Sequence, residues 1–290
     1  MVSSLSLRAP AKINLFLHIN RQRPDGYHDL QTVFQFLDLA DQLQFQRLEE
    51  PRIELQGSGM NVDAENNLIT RAAIALQAAT GCRLGARIQV DKHIPVGGGV
   101  GGGSSDAAST LLALNALWKT GLNLSQLATM GAKLGADVPV FIQGKAAFAE
   151  GTGGQLTPVD VPTPWYLLLK PACEVSTASI FSQQELTRNT SPIKIAAFLS
   201  GATCTRNDCL PIAQKLYPEI RAAMDWLESF SKPRLTGTGA CIFAEFKSKQ
   251  GAETVLQQVP KPWQAFVTQG LNTSPAHDDL AKFESEVKQV

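Results

Sequence analysis

The chain has 290 residues, of which 44% are hydrophobic, and its 26 lysines and arginines balance 26 aspartates and glutamates. That length allows one large domain or two, and the apolar share suffices for a genuine core. A formal charge of zero speaks against a protein that grips nucleic acid mainly by its phosphates, because such proteins are basic. It leaves room for a polyanionic small ligand held at one local site. Residues 1–10 contain no apolar h-region and no window approaches 18 uncharged apolar residues, so neither a signal peptide nor a membrane span is expected. Cys82, Cys173, Cys204, Cys209 and Cys241 form no C-x-x-C pair, and His18, His28, His93 and His277 are dispersed. A reduced cytoplasmic protein without structural zinc fits, its cysteines read as small core residues.

Along the chain, residues 11–20 alternate. Ala11, Ile13, Leu15, Leu17 and Ile19 fall on one face, and Lys12, Asn14, Phe16, His18 and Asn20 on the other. Period two predicts a strand with one face on the core. Arg23-Pro24-Asp25-Gly26 is turn chemistry. Residues 33–39 and 42–46 read as strands of a meander, and 53–56 as a short strand. Asn66-Asn67 then opens a helical pattern through Leu68, Ile69, Ala72, Ala75, Leu76 and Ala79, closed by Gly81. A strand at 87–90 leads into a glycine-rich loop. Beyond it the pattern predicts helices at 107–119 and 125–134 and strands at 138–142 and 146–149. Pro158, Pro162 and Pro164 mark a domain boundary at 160/161. Past it come a strand at 165–169, helices at 179–186, 193–199 and 208–230, two strands flanking Gly237-Thr238-Gly239, a helix at 248–258 and a strand at 265–267. Strands and helices mix without strict βαβ alternation, so the expected class is α+β.

Six of the 23 glycines lie between residues 97 and 103. A flexible linker is one reading, but this run joins a predicted strand directly to a predicted helix. Gly97, Gly99 and Gly102 satisfy the dinucleotide pattern G-x-G-x-x-G, yet that fold needs an acid about 20 residues on. None stands between Asp106 and Asp137. A Walker A loop fails as well, since Ser104 stands where its lysine belongs. There remains a phosphate cradle of another kind, with backbone N–H groups and the positive end of the following helix facing an anion. No lysine or arginine lies between Lys92 and Lys119. Attraction would come from the backbone, with Lys92 and the hydroxyls of Ser104 and Ser105 nearby.

The run Pro95-Val96-Gly97-Gly98-Gly99-Val100-Gly101-Gly102-Gly103-Ser104-Ser105-Asp106-Ala107-Ala108 resembles the phosphate loop of the GHMP kinases, the galacto-, homoserine, mevalonate and phosphomevalonate kinases. Pro10-Ala11-Lys12-Ile13-Asn14-Leu15 looks like the N-terminal motif of that family. Leu235-Thr236-Gly237-Thr238-Gly239-Ala240-Cys241 looks like its C-terminal glycine motif. Arg23-Pro24-Asp25-Gly26-Tyr27-His28-Asp29-Leu30-Gln31-Thr32 and Gly135-Ala136-Asp137-Val138-Pro139-Val140-Phe141 are similar to one branch of it. That branch phosphorylates the 2-hydroxyl of a methylerythritol bearing a cytidine diphosphate, in non-mevalonate isoprenoid synthesis.

The resemblance implies ATP as phosphoryl donor and a two-domain fold. Residues 1–160 would form an N-terminal domain like ribosomal protein S5 domain 2, and residues 161–290 a ferredoxin-like α+β C-terminal domain. It makes Lys12 and Asp137 the catalytic pair. The ATP site would comprise the loop from Pro95 to Ser105, with Lys92 and Asn67. Around the acceptor it places Asn14, Tyr27, His28, Thr177, Phe181, Gly237, Thr238 and Gly239, with the aromatic rings on the cytosine. Asp106 departs from related loops, which often carry Asn or Ala there, and is expected in the first helical turn.

Each residue also has a plainer reading. Lys12 could sit on a solvated face, Asp137 could be a cap, Tyr27 and His28 loop aromatics, Asn67 a cap alone, and 237–239 a simple turn. Magnesium is expected with ATP. Ser105 is a possible ligand, but no metal site is assigned. The expected partner is the small-molecule acceptor, with no nucleic acid or membrane, in a monomer or homodimer. Rival readings are a homoserine- or mevalonate-type kinase, and a non-catalytic S5-like RNA-binding module, which the charge balance disfavours.

Overall fold

The computed structural model describes residues 4–58, 66–203 and 205–288. Strands β1 (Ser4–Gln22) and β2 (His28–Leu48) form one long antiparallel hairpin. Its register slips between Pro10 and Lys12, between Asn14 and Leu17, and between Ile19 and Arg21. These bulges overturn the simple two-faced strand expected for 11–20. Lys12, Asn14, Phe16 and His18 are all buried, like the apolar residues between them. The face predicted to be open is covered by the second half of the chain: Asn14 N donates to Thr236 Oγ1 (3.0 Å) and Leu17 N to Arg206 O (3.0 Å). Extra residues at bulges re-aim side chains in this way.

Strand β3 (Ile53–Ser58) runs parallel to β4 (Gly85–Asp91) and is joined to it through helix α1 (Leu68–Thr80). Asn67 caps α1, its side-chain oxygen accepting from Ile69 N (2.9 Å), and Gly81 closes it with a left-handed φ of 68°. Helix α2 (Gly102–Trp118) begins five residues before the expected start. Glycine is a poor helix former, so sequence places the start after the loop, whereas the turn at Gly101 (φ 76°) sets it before Gly102. Asp106 is consequently in the second turn, not the first. Helix α3 (Leu124–Ala132) has a capping box from Asn123 and Gln126.

Helix α4 (Val138–Gln143) replaces the strand expected at 138–142. A short buried apolar run has no periodicity to tell strand from helix. Pro139 suits the first helical turn, where a missing N–H goes unnoticed, and Gly144 (φ 69°) stops the helix. Strands β5 (Ala147–Glu150) and β6 (Gln155–Pro158) follow, the latter unforeseen.

The second half holds β7 (Trp165–Lys170), α5 (Thr177–Phe181), α6 (Ile195–Leu199), α7 (Leu210–Leu216), α8 (Pro218–Glu228), β8 (Pro233–Leu235), β9 (Ile242–Phe246), α9 (Lys249–Leu256), β10 (Gln264–Leu271) and α10 (Pro275–Lys288). The helix expected over 208–230 is two helices, because Pro218 has no N–H to continue the first. The one expected over 179–186 ends at Phe181, and α10 was not foreseen.

The strand order is β3-β4-β2-β10-β7-β9-β8, with β1 and β5 also on β2 and β6 on β5. Strand β10 is the seam. Residues 264–269 pair with β7, while Gly270 and Leu271 pair with Leu37 and Phe36 of β2. One buried cluster lies under α1–α4 and includes Phe283 of α10; a second lies under α7 and α8; a third, with Phe16, Tyr166 and Phe243, joins them. Cys82, Cys173, Cys209 and Cys241 are free, and burial pushes the thiols of Cys209 and Cys241 up to about 12. Cys204 lies outside the described residues. No described helix is long and apolar enough to cross a membrane.

Candidate active site

Within the glycine loop every second residue is left-handed: Gly97, Gly99 and Gly101 have φ of 72°, 71° and 76°. Space is as demanding as φ. A Cβ on Gly99 would lie 2.6 Å from Gly239 O, and one on Gly98 2.5 Å from Cys241 Sγ. Backbone bonds then lock three distant segments together. Cys241 N donates to Gly98 O (3.0 Å) and Lys12 N to Val100 O (2.9 Å). Gly101 offers α2 no side-chain cap, so donors of its first turn are left for a ligand. A cavity of about 350 Å³ opens here, lined by residues 95–104 and by Asn67, Lys92 and Asp106. Ser105 is fully buried beside it, and its hydroxyl has no partner.

Lys92 faces this cavity with its charge already matched. Its Nζ binds Asp106 Oδ2 (2.6 Å) and the carboxylate of Asp41, and all three groups are shielded from water. The other Asp41 oxygen accepts from the backbone of His93 (2.6 Å) and Ile94 (2.8 Å). Burial lifts the Asp106 carboxyl to about 7 against the pull of Lys92. Burial also works against the charged form of Lys92, but the two carboxylates outweigh it and its pKa is raised. Asp41 was invisible to sequence reasoning, being 51 residues from its partner in a plain strand.

A second cavity, of about 320 Å³, meets the first at Gly99, Gly101 and Ser104. Lys12 and Asp137 stand in it with Nζ and Oδ2 3.1 Å apart. Lys12 also donates to Asn14 Oδ1 (2.8 Å) and lies 5.2 Å from the centre of the Phe34 ring. The solvated-face reading of Lys12 fails, since it is 3% exposed. Asp137 precedes α4 but makes no side-chain cap bond, so its carboxylate is directed to Lys12 instead. Thr177 and Phe181 of α5 line the same cavity with Gly237 and Thr238, whose hydroxyl lies 3.2 Å from that of Thr177. Gly239 sits behind the glycine loop instead of lining the cavity.

His28 packs against Phe181 with ring centres 4.9 Å apart and the planes tilted by 40°. Arg188, which carries no sequence signal, donates Nε to His28 Nε2 (3.0 Å) and its other nitrogens to the carbonyls of Phe181, Gln183, Gln184 and Leu186. Nε2 is thereby an acceptor, which leaves Nδ1 as the protonated nitrogen of a neutral ring. Burial and then the Arg188 charge push the His28 pKa down. Tyr27 is not brought to the cavity. It is 68% exposed at the tip of the hairpin turn.

Two family models match the chain: the GHMP kinases N terminal domain over residues 67–145 and the GHMP kinases C terminal domain over residues 185–265. The chain belongs to the GHMP kinases. The first match carries the glycine loop and Asp137, and the second carries Arg188 and the 237–239 turn. Among GHMP kinase relatives, the 4-diphosphocytidyl-2-C-methyl-D-erythritol kinase of Pseudomonas paraeruginosa is 51% identical, over 97% of this chain and 99% of its own. That of Mannheimia succiniciproducens is 50% identical, over 96% and 91%. A crystal structure of 4-(cytidine 5'-diphospho)-2C-methyl-D-erythritol kinase superposes with a TM-score of 0.78 at 30% identity, covering 92% of this chain and 99% of that one. A mevalonate kinase crystal structure gives 0.69 at 14% identity, over 93% and 99%, a likeness of fold alone. The expected two-domain α+β GHMP kinase fold is borne out.

Proposed function

We infer that the chain transfers the γ-phosphoryl group of ATP to the 2-hydroxyl of 4-diphosphocytidyl-2-C-methyl-D-erythritol, in the non-mevalonate route to isoprenoid precursors. The observation that carries this reading is the meeting of two cavities at Gly99, Gly101 and Ser104, with the Lys12–Asp137 pair on one side. Relatives about half identical over nearly the whole length support the choice of acceptor.

In this reading the nucleotide phosphates lie against the N–H groups of the glycine loop and the first turn of α2. Phosphoryl transfer asks mainly for positioning and charge neutralisation. Asp137 accepts the proton of the acceptor hydroxyl, and Lys12 offsets the charge that develops on that oxygen. Asn14 orients Lys12 through its Oδ1. His28 and Phe181 hold the cytosine, the ring of Phe181 by stacking and His28 by the N–H it has left over. Gly237, Thr238 and Thr177 close the acceptor side, and Asn67 borders the adenosine side.

Among the described residues no three His, Cys, Asp or Glu side chains cluster as a metal cage. Mg²⁺ carried on nucleotide phosphates needs only one or two protein oxygens. The partnerless buried hydroxyl of Ser105 fits that demand. When bound, the ion supplies neutralising charge to the β- and γ-phosphate oxygens. We further read 1–160 as the S5-like unit that carries the loop and 161–290 as the ferredoxin-like unit that closes the acceptor side, with α10 returning to pack on the first unit. The setting is cytoplasmic, as monomer or homodimer.

A coupled ADP-release assay with ATP and 4-diphosphocytidyl-2-C-methyl-D-erythritol tests the reading, with mevalonate and homoserine as controls. Turnover with either control and none with the cytidyl substrate would overturn it.

A further inference from the structure

The acceptor turn is held from behind by a residue outside every recognised motif. Asn207 is 8% exposed. Its side-chain NH₂ donates to Leu235 O (2.9 Å) and to Gly237 O (2.8 Å), and its Oδ1 accepts from Cys209 N (2.9 Å). Both donors of the amide are therefore used on the strand end and turn that present Gly237 and Thr238 to the acceptor cavity. Gly237 is left-handed, with φ of 56°, and Gly239 N closes the turn on Thr236 O (3.0 Å), so Asn207 adds a second hold on a turn that already has its own bond.

The backbone around Asn207 is anchored equally firmly, on the opposite side. Leu17 N donates to Arg206 O (3.0 Å) and Asp208 N to Leu17 O (2.8 Å), so residues 206–208 lie along β1. Asp208 is fixed too: its Oδ2 accepts from Ile19 N (2.8 Å) and from Thr190 Oγ1 (2.6 Å). The 206–208 segment thus joins the strand that carries Lys12 and Asn14, by its backbone, to the turn that carries Gly237 and Thr238, by the Asn207 side chain. The direct link between those two is Thr236, whose Oγ1 accepts from Asn14 N (3.0 Å). Thr236 ties the start of the turn to β1, and Asn207 holds the carbonyls on either side of it.

We propose that Asn207 is a positioning residue for the acceptor. It holds the Leu235–Gly237 backbone so that the substrate hydroxyl meets the Lys12–Asp137 pair at reacting distance. The proposal rests on the acceptor assignment made above. Misplacement of a reacting group by about 1 Å can cost roughly 10²-fold in rate, so loss of this clamp should be felt first at the acceptor, whereas the glycine loop keeps its own ties, Cys241 N to Gly98 O (3.0 Å) and Lys12 N to Val100 O (2.9 Å).

The test is Asn207→Asp, the same shape with carboxylate oxygens in place of two N–H donors, compared with Asn207→Ala. Expected for Asn207→Asp at pH 8 is a fall in kcat/KM for the cytidyl acceptor of about 10²-fold, with KM for ATP within about twofold of the parent on the same principle that distant groups act independently. A carboxylate facing two carbonyls and little water has a raised pKa. On lowering the pH the group becomes neutral and regains an O–H donor, so the ratio of variant to parent activity should climb toward acid pH. Asn207→Ala should lose acceptor efficiency at every pH with no such recovery. ATP binding by calorimetry counts the folded molecules in each preparation. Losses that merely track that count, or equal rises in both KM values, would overturn the proposal. Absence of turnover in the parent protein itself would instead refute the acceptor assignment, and the two failures are told apart by that control.

Discussion

Replacing Lys92 by methionine separates two meanings of a lysine beside a phosphate loop. In the structure its ammonium is shared by Asp41, fully buried, and Asp106, 4% exposed. Removing it leaves two carboxylates with no cation between them. Breaking a buried pair costs about 3–5 kcal/mol, against a total stability of about 5–15 kcal/mol for a whole domain. With about 2–4 °C of Tm per kcal/mol in proteins of this size class, the midpoint should fall by roughly 6–20 °C. Asp106 can soften the loss by taking a proton, since its pKa already stands at about 7. Lys92→Met combined with Asp106→Asn should therefore recover a good part of the midpoint, because one of the two stranded charges is gone. Scanning calorimetry without nucleotide measures the midpoints, and ATP titration of the folded variants measures affinity. If Lys92→Met melts within about 1 °C of the parent while ATP binds ten or more times weaker, the ion pairs are idle and Lys92 is a phosphate ligand after all.

Asp137→Asn should lower kcat by about 10²–10⁴-fold, the usual worth of a general base, with the ATP dissociation constant unchanged in binding titrations; near-normal turnover would exclude it as the base. Phe181→Ala should raise KM for the cytidyl substrate by roughly 5- to 150-fold, as loss of a stacking ring costs about 1–3 kcal/mol, and leave KM for ATP alone. The depressed pKa of His28 sets a pH sign. A histidine whose folded pKa is lowered gives stability above its unfolded value of about 6.5 and loses it as pH falls through the folded value. Protonation would also turn Nε2 from acceptor to donor against Arg188, so KM for the acceptor should be flat above about pH 7 and rise as pH falls below about 6.5, a profile read from initial rates at fixed saturating ATP.

The glycine loop, the first strand and the 237–239 turn were legible because each rests on local chemistry, left-handed φ, close backbone approach and period two, although period two put Lys12 on the open face and bulges bury it. Their assembly was foreseen only through the family resemblance, since no local rule says that Cys241 N will reach Gly98 O. What stayed hidden is of one physical kind. Asp41, Arg188 and Asn207 act through partners 51, 160 and 28 residues away, in segments without unusual composition. Lys92 was legible as a cation near the loop, but not as one already neutralised. The 138–142 run was read as a strand because five buried apolar residues carry no phase, and the Gly102 start of α2 was missed because helix-poor glycines occupy its first two positions. Helix α10 was missed because its apolar residues are few, although Ala276, Leu280, Phe283 and Val287 keep a helical spacing.

That last helix bears on how the protein is made. Phe283 belongs to the buried cluster under α1–α4, with Leu280 and Val287 packed against it, and Asp279 grips Arg8 at 2.7 Å. Strand β10, just before it, supplies the pairing that ties β7 to β2. A chain emerging from the ribosome therefore cannot complete its first hydrophobic cluster until residues 275–288 are free. Until then the nascent hairpin of β1 and β2 has part of its apolar surface uncovered, the condition under which helpers against aggregation act. Arrested chains released short of residue 275 should prove soluble only with such help, however perfect their glycine loops.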